Sequence, residues 1–551
     1  MCDADLTRWP EALARRYRER GYWTEETLGG FLRERARRYA GRPAVRDERR
    51  SLRYEEFDAE VDAVARRMLR AGIAPGERVI VQIDNRVALY LVQFALFRIG
   101  AVPVMALPAH DRLELEQFCR IAEPVAIVAS AGPGVDPGER AGKLAALEGP
   151  SLRRRVLVLS EDEPEPAGAA GVEAWRLPEQ PGTSEEPGEP GAQELPAGPA
   201  SEDLAFLQLS GGSTGVPKLI PRTHADYLYS VRESARICGL GPQDVMLVAI
   251  PAAHNYPYSS PGALGVWHAG GSVVLAARPD PGACLPLLAA AGATIVPLVP
   301  PLARVWLMAQ EAEPRSFPRL RLVQSGGARL DPETARALER AFDARVQQVF
   351  GMAEGLVSYT RPDDEEAVRT RTQGLPISEA DELRVVDPAG RVLGPGRVGA
   401  LETRGPYTIR GYYRNARANR ESFAPDGWYR TGDLVRLDRE GRITVVGRAK
   451  AVINRGGEKV SPEEVERLLH ADPRILDAVV EGVPDAMLGE CIQASVVLRE
   501  AGSTSAAQLR EALREKGLAA YKLPDRVRFV DGLERTGVGK NRRGPGAGAE
   551  S

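Results

Sequence analysis

Apolar residues recur at helical spacing between residues 27 and 73, with arginine-rich stretches between them. Positions three or four residues apart lie on one face of an α-helix. The pattern therefore predicts amphipathic helices that cover a sheet. Two groups carry the spacing: Leu28, Phe31 and Leu32, and then Val61, Val64, Ala65, Met68 and Leu69.

Short β-rich runs follow these helices and alternate with apolar helical stretches. The runs at residues 78–83 and 101–104 are the clearest examples. Such β/α alternation is typical of a largely parallel sheet with helices on its faces. The predicted fold class is α/β, with a large N-terminal domain of layered sheets and helices.

Two changes in composition divide the chain. Residues 161–199 are rich in Pro, Gly, Glu and Ala, which predicts a mobile surface connection. A second change near residues 447–450 predicts a domain boundary, because 551 residues exceed one ordinary core. We expect a large domain at 1–449, a small mobile α+β domain at 450–540 and a disordered tail at 541–551.

The overall charge and the cysteines restrict the class of protein. A formal net charge of −3 provides no field that attracts nucleic acid or an acidic membrane. The five cysteines have no CxxC spacing, which argues against a zinc cluster or a disulfide framework. No targeting segment or apolar run of about 18 residues is present. We expect a cytoplasmic protein without nucleic-acid or membrane partners.

A loop rich in glycine and hydroxyl residues follows the apolar run at residues 203–209. Backbone N–H groups and hydroxyls of such a loop can surround phosphate oxygens, and a lysine can add charge. The Walker order GxxxxGK[ST] is absent, so composition alone leaves phosphate binding and an ordinary loop equally open. The loop reads Ser210-Gly211-Gly212-Ser213-Thr214-Gly215-Val216-Pro217-Lys218.

Six motifs in one order give the sequence a family resemblance over residues 7–540. They are Ser210 to Lys218, Pro251-Ala252-Ala253-His254-Asn255-Tyr256, Val349-Phe350-Gly351-Met352-Ala353-Glu354-Gly355, Tyr429-Arg430-Thr431-Gly432-Asp433, Gly447-Arg448-Ala449-Lys450 and Thr536-Gly537-Val538-Gly539-Lys540. The chain resembles the acyl/aryl-CoA ligase, adenylation-domain and luciferase superfamily. Within it, the chain resembles the stand-alone 2,3-dihydroxybenzoate–AMP ligases.

The resemblance implies an adenylate-forming enzyme fold and ATP-dependent ligase chemistry in siderophore or nonribosomal peptide biosynthesis. An aryl acid would form an aryl-AMP, and the aryl group would pass to a phosphopantetheinylated aryl carrier protein. Lys540 would contact the carboxylate and the α-phosphate, Lys450 would be the hinge, and Gly456 would lie in the loop that replaces Lys540 after domain rotation.

The same resemblance assigns the nucleotide and metal ligands. Asp433 would accept hydrogen bonds from both ribose hydroxyls with help from Arg448, and Glu354 with Thr214 would hold Mg²⁺ on the phosphates. The full set implied for ATP is Ser210, Gly211, Gly212, Ser213, Thr214, Gly215, Lys218, Gly351, Met352, Asp433 and Arg448.

The acyl pocket is implied by the block that begins at His254. Asn255 and Ser260 would bind the ring hydroxyls, and Tyr256 would stack near the ring. Salicylate-activating relatives tend to carry Cys at the position of Ser260, so this serine favours the 2,3-dihydroxy acid. Gly326 and Gly327 would supply a backbone surface and Val349 and Val357 apolar walls, with ordinary core residues as the alternative for both valines.

Three departures from the family pattern fall in the small domain and the tail. Glu534 stands where proline is usual, Ala451 stands where aspartate commonly follows the hinge, and residues 541–546 cannot continue a helix after Lys540. The alternatives left open are adenylation of salicylate or 3-hydroxypicolinate, an aryl-CoA ligase, and a non-catalytic aryl-acid-binding descendant.

Overall fold

The computed structural model describes residues 6–160, 162–166, 170–177, 194–210, 217–448, 452–500 and 502–533. The helices, in chain order, are α1 (Glu11–Glu19), α2 (Leu28–Tyr39), α3 (Tyr54–Arg70), α4 (Val87–Ile99), α5 (Arg112–Ala122), α6 (Pro137–Ala145), α7 (His224–Ile237), α8 (Asn255–Ser259), α9 (Gly262–His268), α10 (Pro281–Ala290), α11 (Pro300–Ala312), α12 (Pro332–Phe342), α13 (Glu366–Arg371), α14 (Ala416–Ser422), α15 (Pro462–His470) and α16 (Ala506–Glu515).

The strands carry the site and pair into four sheets among the described residues. They are β1 (Pro43–Arg46), β2 (Ser51–Arg53), β3 (Arg78–Gln82), β4 (Val102–Met105), β5 (Ala126–Ser130), β6 (Arg154–Leu159), β7 (Val172–Arg176), β8 (Leu204–Ser210), β9 (Lys218–Thr223), β10 (Val245–Val248), β11 (Ser272–Leu275), β12 (Ile295–Leu298), β13 (Leu322–Ser325), β14 (Arg345–Gly351), β15 (Val357–Tyr359), β16 (Leu375–Pro376), β17 (Glu382–Val386), β18 (Val398–Arg404), β19 (Tyr429–Leu437), β20 (Ile443–Arg448), β21 (Ile453–Arg455), β22 (Glu458–Val460), β23 (Ile475–Asp485), β24 (Gly489–Leu498) and β25 (Arg526–Phe529).

Two of the sheets are mainly parallel. One has the order β7-β6-β5-β3-β4-β8-β9, and the other has the order β16-β15-β14-β13-β12-β10-β11-β1-β2. Antiparallel pairing is confined to the edges, at β8–β9, β1–β2 and β14–β15–β16. The predicted α/β class with a largely parallel sheet is confirmed.

Helix α4 lies in the main hydrophobic core with α2, α3 and α9. All its residues are buried, as expected for a helix that is apolar on every side. Tyr90 and Phe94 pack against Trp267 of α9, with ring centroids 4.8 and 5.7 Å apart. Helices α2 and α3 cover the predicted region and bury the apolar positions that predict them, Leu69 being only partly buried.

The prediction of a surface connection over residues 161–199 is wrong at one place. Val172–Arg176 forms β7, which pairs in parallel with β6 at the edge of the first sheet. Trp175 is buried there beneath the guanidinium of Arg67, whose Cζ lies 4.6 Å from the indole centroid. A β-branched residue and a buried aromatic therefore outweigh the surrounding Pro- and Gly-rich composition.

The C-terminal part of the described chain has a sheet and a core of its own. Strands β22-β21-β24-β23, with β25 beside β24, pack against α15 and α16 around a hydrophobic cluster within residues 453–527. Residues 449–451 and 534–551 lie outside the described residues. The predicted hinge and the predicted tail therefore stay predictions, and the surroundings of Ala451 and Glu534 are not described.

No helix in the described ranges is long and apolar enough to cross a membrane.

Candidate functional site

A cavity of about 390 Å³ lies where the four sheets of the described residues meet. Volumes of this order accommodate small-molecule ligands. Eleven of the residues predicted from the sequence line it, from three separate stretches of chain. They are His254, Asn255, Tyr256, Ser260, Gly327, Val349, Gly351, Met352, Glu354, Asp433 and Arg448.

One end of the cavity presents an amide group. Asn255 begins α8, and its Oδ1 accepts a hydrogen bond of 2.9 Å from the Tyr227 hydroxyl. The Asn255 amide nitrogen is thereby left as the donor toward the cavity, and Ser260, which is 3% exposed, adds a hydroxyl at the same end. This end can therefore bind a flat ligand that carries ring hydroxyls.

The floor of this end is the ring of Tyr256, which lies against the backbone of Gly326. A Cβ at Gly326 would lie 2.9 Å from Tyr256 Cζ, so only glycine fits there. Val349 lines the cavity as predicted. Val357 does not line it: this residue lies behind the wall, where it pairs across the strands with Gly351 and is 4% exposed. Val357 is thus an ordinary core residue, as the alternative interpretation held.

His254 lies beside this end and caps the short helix α8. Its Nδ1 accepts a hydrogen bond of 3.2 Å from Tyr256 N. Burial lowers the pKa of His254, because the charged imidazolium would lose its hydration. The ring is therefore neutral near pH 7 and serves as a hydrogen-bonding group.

Glu354 projects into the middle of the cavity. It is 6% exposed, and its Oε1 accepts a hydrogen bond of 3.0 Å from the Tyr412 hydroxyl. Lys218, predicted as a phosphate ligand, lies over the same tyrosine, with Nζ 4.7 Å from the ring centroid. Tyr412 therefore connects the end of the glycine-rich loop to the carboxylate.

The backbone around Glu354 is held from several sides. Arg222 donates a hydrogen bond of 2.6 Å to Ala353 O, and Ile409 N donates one of 2.8 Å to Glu354 O. Gly355 has φ of 153°, and a Cβ there would lie 2.4 Å from Thr408 Cα. The close approach requires glycine and fixes where the Glu354 side chain points.

Asp433 and Arg448 face each other across β19 and β20. They are direct register partners, and Arg448 Nε donates a hydrogen bond of 2.8 Å to Asp433 Oδ1. Asp433 is 5% exposed and lines the cavity, so a bound polyol could use the acceptor capacity that Arg448 leaves. The structure thus brings the two motif residues together at the cavity.

The turn between β21 and β22 lies against the cavity. Asn454 Nδ2 donates a hydrogen bond of 3.0 Å to Gly327 O, and a Cβ at Gly457 would lie 3.0 Å from Val299 Cγ1. Gly456, with φ of 63°, forms the turn but does not line the cavity. The arrangement described is thus the one in which this loop occupies the site.

Lys459 also lines the cavity, although the sequence did not single it out. Burial lowers its pKa, Arg448 acts in the same direction, and Glu354 and Asp433 oppose the shift. The signal that could have found it is a basic residue that closes a glycine turn already expected at the site. Lys459 contributes positive charge beside the two acidic side chains.

The remaining predicted site residues lie outside what the structure describes. They are Gly211, Gly212, Ser213, Thr214, Gly215, Lys450 and Lys540, and only the backbone of Ser210 is described, as the last residue of β8. Lys218, the last residue of this motif, is the first residue of β9.

Comparison with protein families gives two matches. Residues 32–413 match the family described as AMP-binding enzyme, and residues 464–540 match the family described as AMP-binding enzyme C-terminal domain. The first match alone covers more than half of the chain.

Individual relatives match over nearly the whole length. A 2,3-dihydroxybenzoate-AMP ligase of Bacillus subtilis is 46% identical over 97% of this chain and 96% of its own. A salicylyl-CoA synthase / salicylate adenylyltransferase of a Streptomyces species is 43% identical over 97% of this chain and 95% of its own. The apo structure of MbtA from Mycobacterium smegmatis is 39% identical and superposes with a TM-score of 0.74 over 98% of this chain and 97% of that one.

Proposed function

The chain belongs to the AMP-binding enzyme family, and from this premise we propose that it converts an aryl carboxylic acid, with 2,3-dihydroxybenzoate preferred, into an aryl-AMP. The observation that carries the proposal is one cavity lined by Asn255 and Ser260, by Glu354 and by Asp433. A hydroxylated ring and a nucleotide bound there would meet in the middle. The relatives named for 2,3-dihydroxybenzoate and salicylate support the same class of acid.

The reaction has two steps that share this cavity. In the first, a carboxylate oxygen attacks the α-phosphorus of ATP, and pyrophosphate leaves. In the second, a phosphopantetheine thiol attacks the acyl carbon, and AMP and a proton are released as the thioester forms. The protein's contribution to the first step is to align two anions and offset their repulsion. Lys540 and Arg448 are the cations that we assign to this task.

The residues present fit a magnesium ion on the phosphates. Glu354 offers one buried carboxylate whose Oε1 is oriented by Tyr412, and magnesium prefers oxygen ligands while keeping several waters. We propose that Glu354 and Thr214 would hold Mg²⁺, which would neutralise phosphate charge. Asp433 would bind the ribose hydroxyls.

We further propose that the two domains have different functions. Residues 1–449 bind ATP and the acid, residues 450–540 carry Lys540 and the turn at Gly456, and Lys450 is the hinge between them. The aryl carrier protein is the acceptor, and ATP as co-substrate agrees with a cytoplasmic location. Separate sheets and cores on the two sides of residue 450 support this division.

The direct test is ATP–pyrophosphate exchange by the purified protein with 2,3-dihydroxybenzoate, salicylate, 3-hydroxypicolinate, benzoate and an aliphatic acid. Fastest exchange with 2,3-dihydroxybenzoate supports the proposal. Preference for another aryl acid retains the reaction and removes Ser260 as a guide to the acid. Absence of exchange with every acid contradicts the proposed activity and favours the non-catalytic alternative. Comparison of thioester formation with free coenzyme A and with a carrier protein then identifies the acceptor.

Ser260→Cys is expected to shift the preference toward salicylate. The serine hydroxyl can pair with the 3-hydroxyl that salicylate lacks, and an unpaired buried polar group costs about 1–3 kcal/mol, so the ratio of kcat/KM values should change roughly 5- to 150-fold. Ser259→Cys is the matched control, since Ser259 is equally buried and does not line the cavity. An unchanged ratio in Ser260→Cys would exclude this residue as the selector.

Tyr412→Phe is expected to raise the magnesium concentration needed for half-maximal exchange about tenfold, because Glu354 loses a hydrogen bond that orients its carboxylate. Tyr429→Phe is the control, since its hydroxyl lies 3.2 Å from that of Tyr412 and is not bonded to Glu354. Equal magnesium dependence in the parent and Tyr412→Phe would mean that Glu354 does not need this orientation.

A further inference from the structure

A buried cluster of three charged side chains lies at the border between the C-terminal sheet and the rest of the protein. Lys522 Nζ lies 2.7 Å from Glu114 Oε1 and 2.9 Å from each carboxylate oxygen of Glu464. The three side chains are 8%, 2% and 4% exposed. All three line the cavity of the candidate site.

The cluster joins two different parts of the chain. Glu114 lies in the first turn of α5, where its Oε2 also accepts a hydrogen bond of 3.1 Å from Asp111 N. Lys522 ends a short 3₁₀ turn, and Glu464 lies in the first turn of α15. Lys522 and Glu464 therefore move together as one part, whereas Glu114 belongs to the other.

His110 is the titratable neighbour on the α5 side. Burial lowers its pKa to about 3, with the charge of Lys522 acting in the same direction. The imidazole is consequently neutral near pH 7. Lys522 is thus balanced by carboxylates on both sides of the border without a competing cation from His110.

The start of α5 contacts the C-terminal part at a second point. Leu113 N donates a hydrogen bond of 3.3 Å to Gly517 O. A Cβ at Gly517 would lie 3.4 Å from Arg112 Cβ. The ion cluster and this contact hold the C-terminal part where Asn454 reaches Gly327 and the 454–459 turn faces the cavity.

Separation of the two parts would have unequal consequences for the three charges. Lys522 would keep Glu464, but Glu114 would lose its cation and with it the attraction between the two charges. The contact therefore favours one arrangement over any other. A contact that differs between two arrangements shifts the equilibrium between them.

We infer that Glu114 and Lys522 are positioning residues for the transfer step, because their ion pair favours the arrangement that places the 454–459 turn at the site. The inference rests on the proposed two-step function. Weakening the pair shifts the population toward other arrangements, so thioester formation slows while adenylate formation does not.

Glu114→Gln tests this with little change of shape, since Lys522 keeps Glu464 and an amide oxygen can still accept from Asp111 N. We expect transfer from supplied aryl-adenylate to the thiol to fall at least tenfold, with ATP–pyrophosphate exchange not lowered. Arg526→Met is the control, since it breaks the exposed pair with Asp485 at 3.4 Å. Lys522→Arg should retain most of the transfer rate. Equal loss in both half-reactions, or in neither, would overturn the inference.

A disulfide provides a readout that needs no substrate. Arg112→Cys together with Gly517→Cys would place two Cβ atoms near the separation that disulfides require. Gly517 has φ of 85°, so a side chain there is strained, but this strain is the same in the two proteins that are compared. The rate of bond formation then measures how often the present arrangement is populated. Adding Glu114→Gln should lower that rate severalfold, and an unchanged rate would contradict the positioning role. If the parent shows no exchange with any acid, the proposed function fails, while this rate still decides whether the pair holds the two parts together.

Discussion

Lys540→Ala is expected to lower the rate of adenylate formation by about 100- to 1,000-fold, the usual effect of removing one group that stabilises developing charge. Transfer from supplied aryl-adenylate should remain, because the described arrangement already places the 454–459 turn at the cavity. Exchange of pyrophosphate measures the first step. Single-turnover thioester formation from synthetic aryl-adenylate measures the second.

Lys143→Ala is a suitable control for Lys540→Ala. Lys143 is exposed and pairs with Glu139 one helical turn away, at 2.9 Å. Its removal should leave both steps unchanged. An equal loss of both steps in Lys540→Ala would contradict the assignment of Lys540 to adenylation, and full retention of exchange would show that Lys540 is not needed to offset the charge.

Asp433→Ala is expected to raise the KM for ATP roughly 10- to 100-fold, because hydrogen bonds to a charged group are worth about 1.5–3 kcal/mol each and the ribose would lose its acceptors. Arg448 would also lose its partner at 2.8 Å. Affinity for the aryl acid should change little, since Asn255 and Ser260 lie at the other end of the cavity. Isothermal titration of the acid and exchange kinetics over a range of ATP concentrations separate the two effects.

Asp438→Ala controls for damage to the same strand pair. Asp438 lies in the turn between β19 and β20, where its Oδ1 accepts from the N–H groups of Glu440 and Arg442. This variant should destabilise the turn without changing the KM for ATP. A KM for ATP that is unaltered in Asp433→Ala would exclude Asp433 from ribose binding.

Local pattern was enough to predict a largely parallel sheet with helices on its faces, whereas the site residues were predicted from the family resemblance of six motifs. Helices α2 and α3 follow from apolar spacing, and β3 and β4 follow from short β-branched runs, since these signals lie within one element. Asn255, Glu354 and Asp433 come from three different motifs and line one cavity, as the family resemblance implies. The roles assigned to them stay predictions until the variants are measured.

Contacts between distant parts of the chain were not predictable in this way. Nothing local shows that Asn454 donates to Gly327 O, that Tyr412 orients Glu354, or that Val357 lies behind Gly351 instead of lining the cavity. Each depends on which strands become neighbours, which a single sequence does not reveal. β7 was missed for a related reason: its pairing with β6 and the burial of Trp175 are tertiary effects.

The complete burial of α4 has a consequence for synthesis of the protein. Its residues Tyr90 and Phe94 pack against Trp267, which the ribosome adds more than 170 residues later. At about 5–20 residues per second, the helix waits roughly 10–30 s for that partner. During this interval α2 and α3, which are made earlier, can already cover part of α4, but the side that packs on α9 has no partner and exposes the kind of apolar surface that chaperones bind. Efficient production of the enzyme therefore depends on protection of α4 until α9 has emerged.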